Sequence, residues 1–177
     1  MLDVLDQGSS NEYFAWKPSE QTFKIDGQAC DVTKFAIDPQ SLQTGWGKLA
    51  KGEAPDFCWS QEAGTSIPRP SDDHKTAFML NVFVSQKGGA PENGWREWRE
   101  IGAGAKDGLK MVWPEVEKKA EANKLVVVEV TEKKPVKIGM GSSVVPIMKV
   151  VGLVDKPAEE PAPAPAPAPA TTDDEIF

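Results

Sequence analysis

Three tryptophans of this chain stand close to cations: Trp46 ahead of Lys48 and Lys51, Trp95 beside Arg96, and Trp98 beside Arg99. A ring face next to a cation suits a flat, anionic polymer. The ring stacks on an unpaired base, contributing about 1–3 kcal/mol per base, and the cation meets a phosphate. Six tryptophans in 177 residues provide ample rings. If Trp95 to Ile101 is a strand, Trp95, Glu97, Arg99 and Ile101 share one face, and Arg96, Trp98 and Glu100 the other. Ile101 draws the first set toward a core, which leaves Trp98 with Arg96 as the pair expected to face a ligand. Phe83 joins them from the more polar face of its own strand. Arg69, between two prolines, and Lys75 belong to a 64–75 loop expected to be mobile above the groove. The expected binding set is therefore Trp46, Lys48, Lys51, Arg69, Lys75, Phe83, Arg96, Trp98 and Arg99.

Charge weakens this expectation without removing it. The formal net charge is -7, but residues 1–154 carry 21 acids against 19 bases, a balance of -2, and the remainder carries -5. The acidity is thus concentrated in a segment that need not touch an anionic ligand. Between Trp46 and Lys110, nine bases meet nine acids, so a positive groove has to arise from spatial sorting. Moderate affinity that falls with salt is the corresponding expectation.

Catalytic and metal chemistry find little footing. Cys30, Cys58 and His74 are separated by 27 and 15 residues, with no short-spaced ligand pair. His74 lies in a polar run and is expected to be solvated. The glycines from Gly102 to Gly108 lack the GK[ST] ending of a phosphate loop and the spacing of a dinucleotide fingerprint, and read as a flexible connection. Asp72 and Asp73 read as a charged loop, and both cysteines as reduced and buried. No cofactor, metal or enzymatic activity is expected.

The elements that must position the rings are mostly strands. Gln21–Ile25 and Ala29–Ile37 alternate polar and apolar residues, with Gly27 at the turn between them. Thr76–Ser85 is the strongest strand, with Phe78, Leu80, Val82 and Val84 on the face expected to meet the core. A Gly/Pro-rich turn over 87–94 leads to Trp95–Ile101 as the return strand of a hairpin. Pro114 opens a helix of about ten residues in which Val116 and Ala120 keep helical spacing. Leu125–Thr131 and Ser143–Val154 follow as strands, separated by the turn-prone KKPVKIGMG. Strands, one helix, then two strands is the order of a mainly β, OB-fold-like Greek-key barrel with a helix between its third and fourth strands, over residues 1–154.

Beyond the barrel the composition changes. Residues 155–172 form a linker that includes five Pro-Ala repeats from Pro161 to Ala170. A segment without an amide donor at every second position builds no core and is expected to be an extended spacer, about 3.1 Å per residue. It ends in Asp173, Asp174, Glu175, Ile176 and Phe177: acids to steer toward a basic surface, then a branched aliphatic and an aromatic to fill a pocket.

This tip resembles the C-terminus of single-stranded DNA-binding proteins, both the bacterial Asp-Asp-Asp-Ile-Pro-Phe and phage forms that end in acids and Phe. Glu175 stands where the bacterial form has a third Asp, and no Pro separates Ile176 from Phe177. The resemblance covers five residues and implies that residues 173–177 dock replication or repair proteins such as a polymerase, helicase, nuclease or recombinase. The expectation is a phage-type protein that binds single-stranded DNA in replication, recombination or repair, in the cytoplasm of a bacterial host, with homo-oligomerisation left open. No apolar run approaches the roughly 18 residues that cross a bilayer, and the first residues have no basic-then-apolar leader, so no membrane partner is expected. The competing reading is an adaptor or inhibitor that binds no DNA and occupies a replication factor's tail pocket. A virion or scaffolding protein with a solubilising tail is the third.

Overall fold

The computed structural model describes residues 12–157, Ala63 excepted. The 155–172 linker, apart from its first three residues, and the 173–177 tip lie outside this range.

The described residues are mainly β, with one α-helix. In chain order the strands are β1 (Glu12–Lys17), β2 (Thr22–Ile25), β3 (Gln28–Cys30), β4 (Lys34–Ile37), β5 (Gln43–Lys48), β6 (Asp56–Trp59), β7 (Lys75–Val84) and β8 (Gly94–Glu100). Helix α1 (Ala103–Lys119), β9 (Lys124–Ile138) and β10 (Gly141–Asp155) complete the order. They form one sheet in the order β10-β9-β4-β7-β8-β1-β2-β3, with β5 also on β7 and β6 beyond β5. Every pairing is antiparallel except β1 on β8.

Strand β7 organises the sheet. Its alternation sends Phe78, Leu80, Val82 and Val84 into the core, as their period of two requires. β4 and β5 lie along the same edge of β7, interrupted by a 3-10 turn at Pro39–Ser41. The interruption is bridged rather than left open: Asp38 N–H donates to Asn81 O at 3.0 Å, and Asn81 N–H donates to Ser41 Oγ at 2.8 Å. The expected strand 29–37 is accordingly two strands, β3 and β4. Strands β1, β5 and β6 are additions that the sequence pattern had not marked.

The sheet curls around an aromatic core. Trp98 stands edge-on to Phe14, Phe23, Phe35 and Phe78 at centroid distances of 5.1–5.7 Å. The curl brings β1 to β10, which are not neighbours in the sheet, so that Trp16 Nε1 donates to Val144 O at 2.8 Å. The barrel is not closed, because the terminal strands β10 and β3 do not pair. A second, smaller cluster packs on the outer face from Ala36, Phe83, Leu125 and Val127, which explains the unbroken apolar run Leu125–Val128.

The helix differs most from expectation. It follows the eighth strand rather than the third, begins at Ala103 rather than near Pro114, and absorbs the glycines expected to be a flexible connection. Those glycines permit close packing: a Cβ on Gly104 would lie 2.5 Å from Val144 O, and one on Gly108 2.6 Å from Pro146 O. Ala105, Leu109, Val112 and Val116 then form its core-facing stripe. The turn-prone 133–141 segment also differs. Lys133 to Ile138 continue β9, and the β9–β10 turn is Gly139–Met140. Register shifts at Ile147/Met148 and Val150/Gly152 interrupt the pairing of this long hairpin.

Candidate nucleic-acid interface

Strand pairing decides which aromatic residues are available. Leu80 is opposite Trp98 and Val82 is opposite Arg96, so both β8 residues lie on the side of the sheet that β7 turns inward. Trp98 is 0% exposed and Arg96 2%. Trp98 as a stacking platform, and Arg96 as its phosphate partner, are corrected on this ground: Trp98 is the centre of the core, and an Arg96 guanidinium N–H donates to Glu92 O at 2.9 Å. Phe83 is corrected too. It is buried on the outer face, edge-on to Trp95 at 5.7 Å within the smaller cluster.

The opposite face of β8 carries the open site. Arg99, across from Met79, places its guanidinium 5.4 Å from the ring centroids of both Tyr13 and Phe57. Phe57 in turn stacks on Trp59 at 5.1 Å and 9°. The result is a row that runs Tyr13, Arg99, Phe57, Trp59 over the sheet from β1 to β6. Tyr13 is 53% exposed, and Phe57 and Trp59 are half-buried. Arg99 is further held by Glu97 at 3.0 Å, while its Nε is buried without a partner. A planar cation fixed between two rings keeps its orientation for a phosphate or a base edge.

Two glycines of β5 set the row's height. Gly45 pairs with Trp59, and Gly47 with Phe57. A Cβ at Gly47 would come within 2.6 Å of the Phe57 ring, and one at Gly45 would overlap Cys58 O. The alternation in Thr44-Gly45-Trp46-Gly47 was the available sequence signal, since paired glycines in a strand mark a close approach. Phe57 and Trp59, two residues apart, were the matching signal on β6.

The remaining expected residues gather at one end of the sheet. Trp46 Nε1 donates to Ile67 O at 2.8 Å, and Arg69 lies over its ring at 5.6 Å. Arg69 also donates to the carbonyls of His74 and Asp72, so the 64–75 loop is stapled to itself. His74 is 4% exposed rather than solvated: its Nδ1 is 2.7 Å from Ser71 Oγ and its Nε2 3.0 Å from Asp56 Oδ2. Ser71 and His74 close one turn, His74 N–H donating to Ser71 O at 3.1 Å, so this chain of polar groups ties the loop to β6. Lys48 faces Glu53 at 3.9 Å, and Lys51 and Lys75 are exposed. Cys30 and Cys58 are half-buried free thiols rather than buried ones.

Beneath the row, on the core side of β8, Glu100 is buried and accepts from Trp16 N–H and from Trp98 Nε1 at 3.1 Å. Burial raises its pKa from 4.5 to about 7, against the pull of those two hydrogen bonds. No helix among the described residues is long and apolar enough to cross a membrane. Searches of protein-family models, curated proteins and solved structures find no match to the chain.

Proposed function

We propose that this chain is a non-enzymatic single-stranded DNA-binding protein of replication, recombination or repair. Unpaired bases stack on Tyr13 and Trp59, with Phe57 held between Arg99 and Trp59, while phosphates meet Arg99 and the exposed cations at the sheet's end. The observation that carries this reading is the row itself: three rings, with a guanidinium fixed between Tyr13 and Phe57, on the outer face of the sheet. Rings give sequence-tolerant affinity, and cations give salt dependence. The curled sheet, with its single helix and long final hairpin, is read as an open variant of the OB-fold kind of strand-binding sheet. Coating shifts the duplex equilibrium toward single strands by mass action, without catalysis. The 173–177 tip, on its Pro-Ala spacer, brings polymerase, helicase, nuclease or recombinase partners to the coated strand, in the manner of the phage-type proteins whose tip it resembles.

Titration with oligo(dT) tests the reading. Intrinsic tryptophan fluorescence is expected to fall on binding and to recover with added salt, and removal of residues 173–177 is expected to leave strand binding intact. An unchanged emission together with no retention of labelled oligo(dT) would favour the adaptor that binds no DNA.

A further inference from the structure

A cavity of about 540 Å3 opens between β5, the 64–67 loop, β7 and α1. It lies across β5 from the ring row, because Trp46 and Thr44 alternate with Gly45 and Gly47, over which Trp59 and Phe57 pack. Its size falls in the range of small-molecule sites, about 300–1,000 Å3.

The lining is specific in kind. Two indoles, Trp46 and Trp113, contribute to its wall, and both have their N–H groups engaged elsewhere, at Ile67 O and Glu117 Oε1, each at 2.8 Å. What they offer an occupant is ring carbon, which suits a flat body. Thr44, Thr65 and Ser66 supply hydroxyls for a polar edge, a feature that a purely aliphatic occupant would leave unused.

Lys106 and Lys110 line the same cavity. Lys106 Nζ is oriented by Thr76, with the carbonyl at 3.0 Å and the hydroxyl at 2.9 Å, which uses two of its three N–H donors and leaves one for an anion. Burial presses the Lys106 pKa down, and Lys110 and Lys75 press it further, with Asp107 opposing. Lys110 also lines a second cleft with Lys134 and Lys137. Cations gathered beside an apolar, ring-walled cavity call for a ligand with a flat body and a compact negative charge.

We propose that this cavity binds one nucleoside monophosphate unit, its base against Trp46 and Trp113 and its phosphate on Lys106 and Lys110. The unit is either a free nucleotide or the terminal nucleotide of a strand. The inference goes beyond strand coating and uses no residue of the ring row.

Calorimetric titration of the full chain with dTMP, thymidine and inorganic phosphate tests it. dTMP is expected to bind at least tenfold more tightly than either fragment. The Lys106→Gln/Lys110→Gln variant, altered at partly exposed positions, is expected to reduce dTMP to the thymidine level, and Trp113→Ala to weaken both. The Tyr13→Ala/Trp59→Ala variant is expected to bind dTMP as the parent does; loss there would place the nucleotide on the ring row and overturn the proposal. Equal binding of dTMP and thymidine overturns it, as does preferential binding of the peptide Asp-Asp-Glu-Ile-Phe. Displacement of dTMP by 5′-phosphorylated but not by unphosphorylated oligo(dT) supports the site and assigns it to strand ends; no displacement by either assigns it to the free nucleotide. Absent dTMP binding with oligo(dT) quenching retained overturns the cavity alone, and the reverse result overturns strand coating alone.

Discussion

The two faces of β8 hold similar residue types and make opposite use of them. Inward, Trp98 is enclosed by Phe14, Phe23, Phe35 and Phe78, with Glu100 accepting its N–H. Outward, Arg99 lies between Tyr13 and Phe57 on an open surface. A tryptophan beside an arginine in sequence therefore does not put the two side by side in space. Alternation sends them to opposite faces, and the neighbouring strand decides which face is inside.

The contrast breaks most sharply at Trp98. Trp98→Ala is expected to cost about 3–5 kcal/mol of stability, from lost burial and the cavity left behind. Chemical denaturation reads this as a lower midpoint, and any loss of DNA binding should track the unfolded fraction. Trp59→Ala is expected to move the same midpoint far less.

Next in size is Glu100. Its raised pKa means that the folded chain favours the protonated form. The associated stability is complete below pH 4.5, where folded and unfolded chains both hold the proton. It is lost as pH rises through about 7, where the buried carboxylate ionises. At about 1.36 kcal/mol per pKa unit, the swing is on the order of 3 kcal/mol. Glu100→Gln keeps an oxygen for Trp16 N–H and Trp98 Nε1, and is expected to raise the melting temperature at pH 8 and flatten its dependence between pH 5 and 8. A variant as pH-sensitive as the parent would remove Glu100 from that role.

The outward face sharpens the comparison through binding rather than stability. Tyr13→Ala and Trp59→Ala are each expected to weaken oligo(dT) by about 1–3 kcal/mol, the value of a stacked base, with the fold retained. The smallest effect is expected for Arg99→Gln. If Arg99 neutralises one phosphate, the slope of log affinity against log salt should become shallower by about 0.7, the value for a single strand.

How far the sequence could be read follows the same alternation. The inward set of β7 was legible because Phe78, Leu80, Val82 and Val84 recur with a period of two across ten residues. The faces of β8 were not, because seven residues held two tryptophans, two arginines and two glutamates with no apolar majority. Ile101 tipped the balance the wrong way: it follows the strand, and its side chain would lie 2.9 Å from a Cβ at Gly47, on the outer side. Carrying the register from β7 to its hairpin partner would have placed Trp98 inside. The start of α1 was hidden for another reason, since Gly104 and Gly108 weaken a helix locally and are favoured only by close approach to β10. Of the expected ligand residues, Trp46, Lys48, Lys51, Arg69, Lys75 and Arg99 lie outside the core clusters. Tyr13, Phe57 and Trp59 were hidden because β1 and β6, of six and four residues, are too short to display a period of two.

Strand binding through the outer row is decided by one paired titration. Oligo(dT) binding is measured by fluorescence anisotropy for the parent chain and for Tyr13→Ala/Trp59→Ala, after equal melting temperatures are established. Salt-sensitive binding by the parent and a loss of at least tenfold in the variant are expected. Equal affinity in two equally folded proteins would contradict binding through the row.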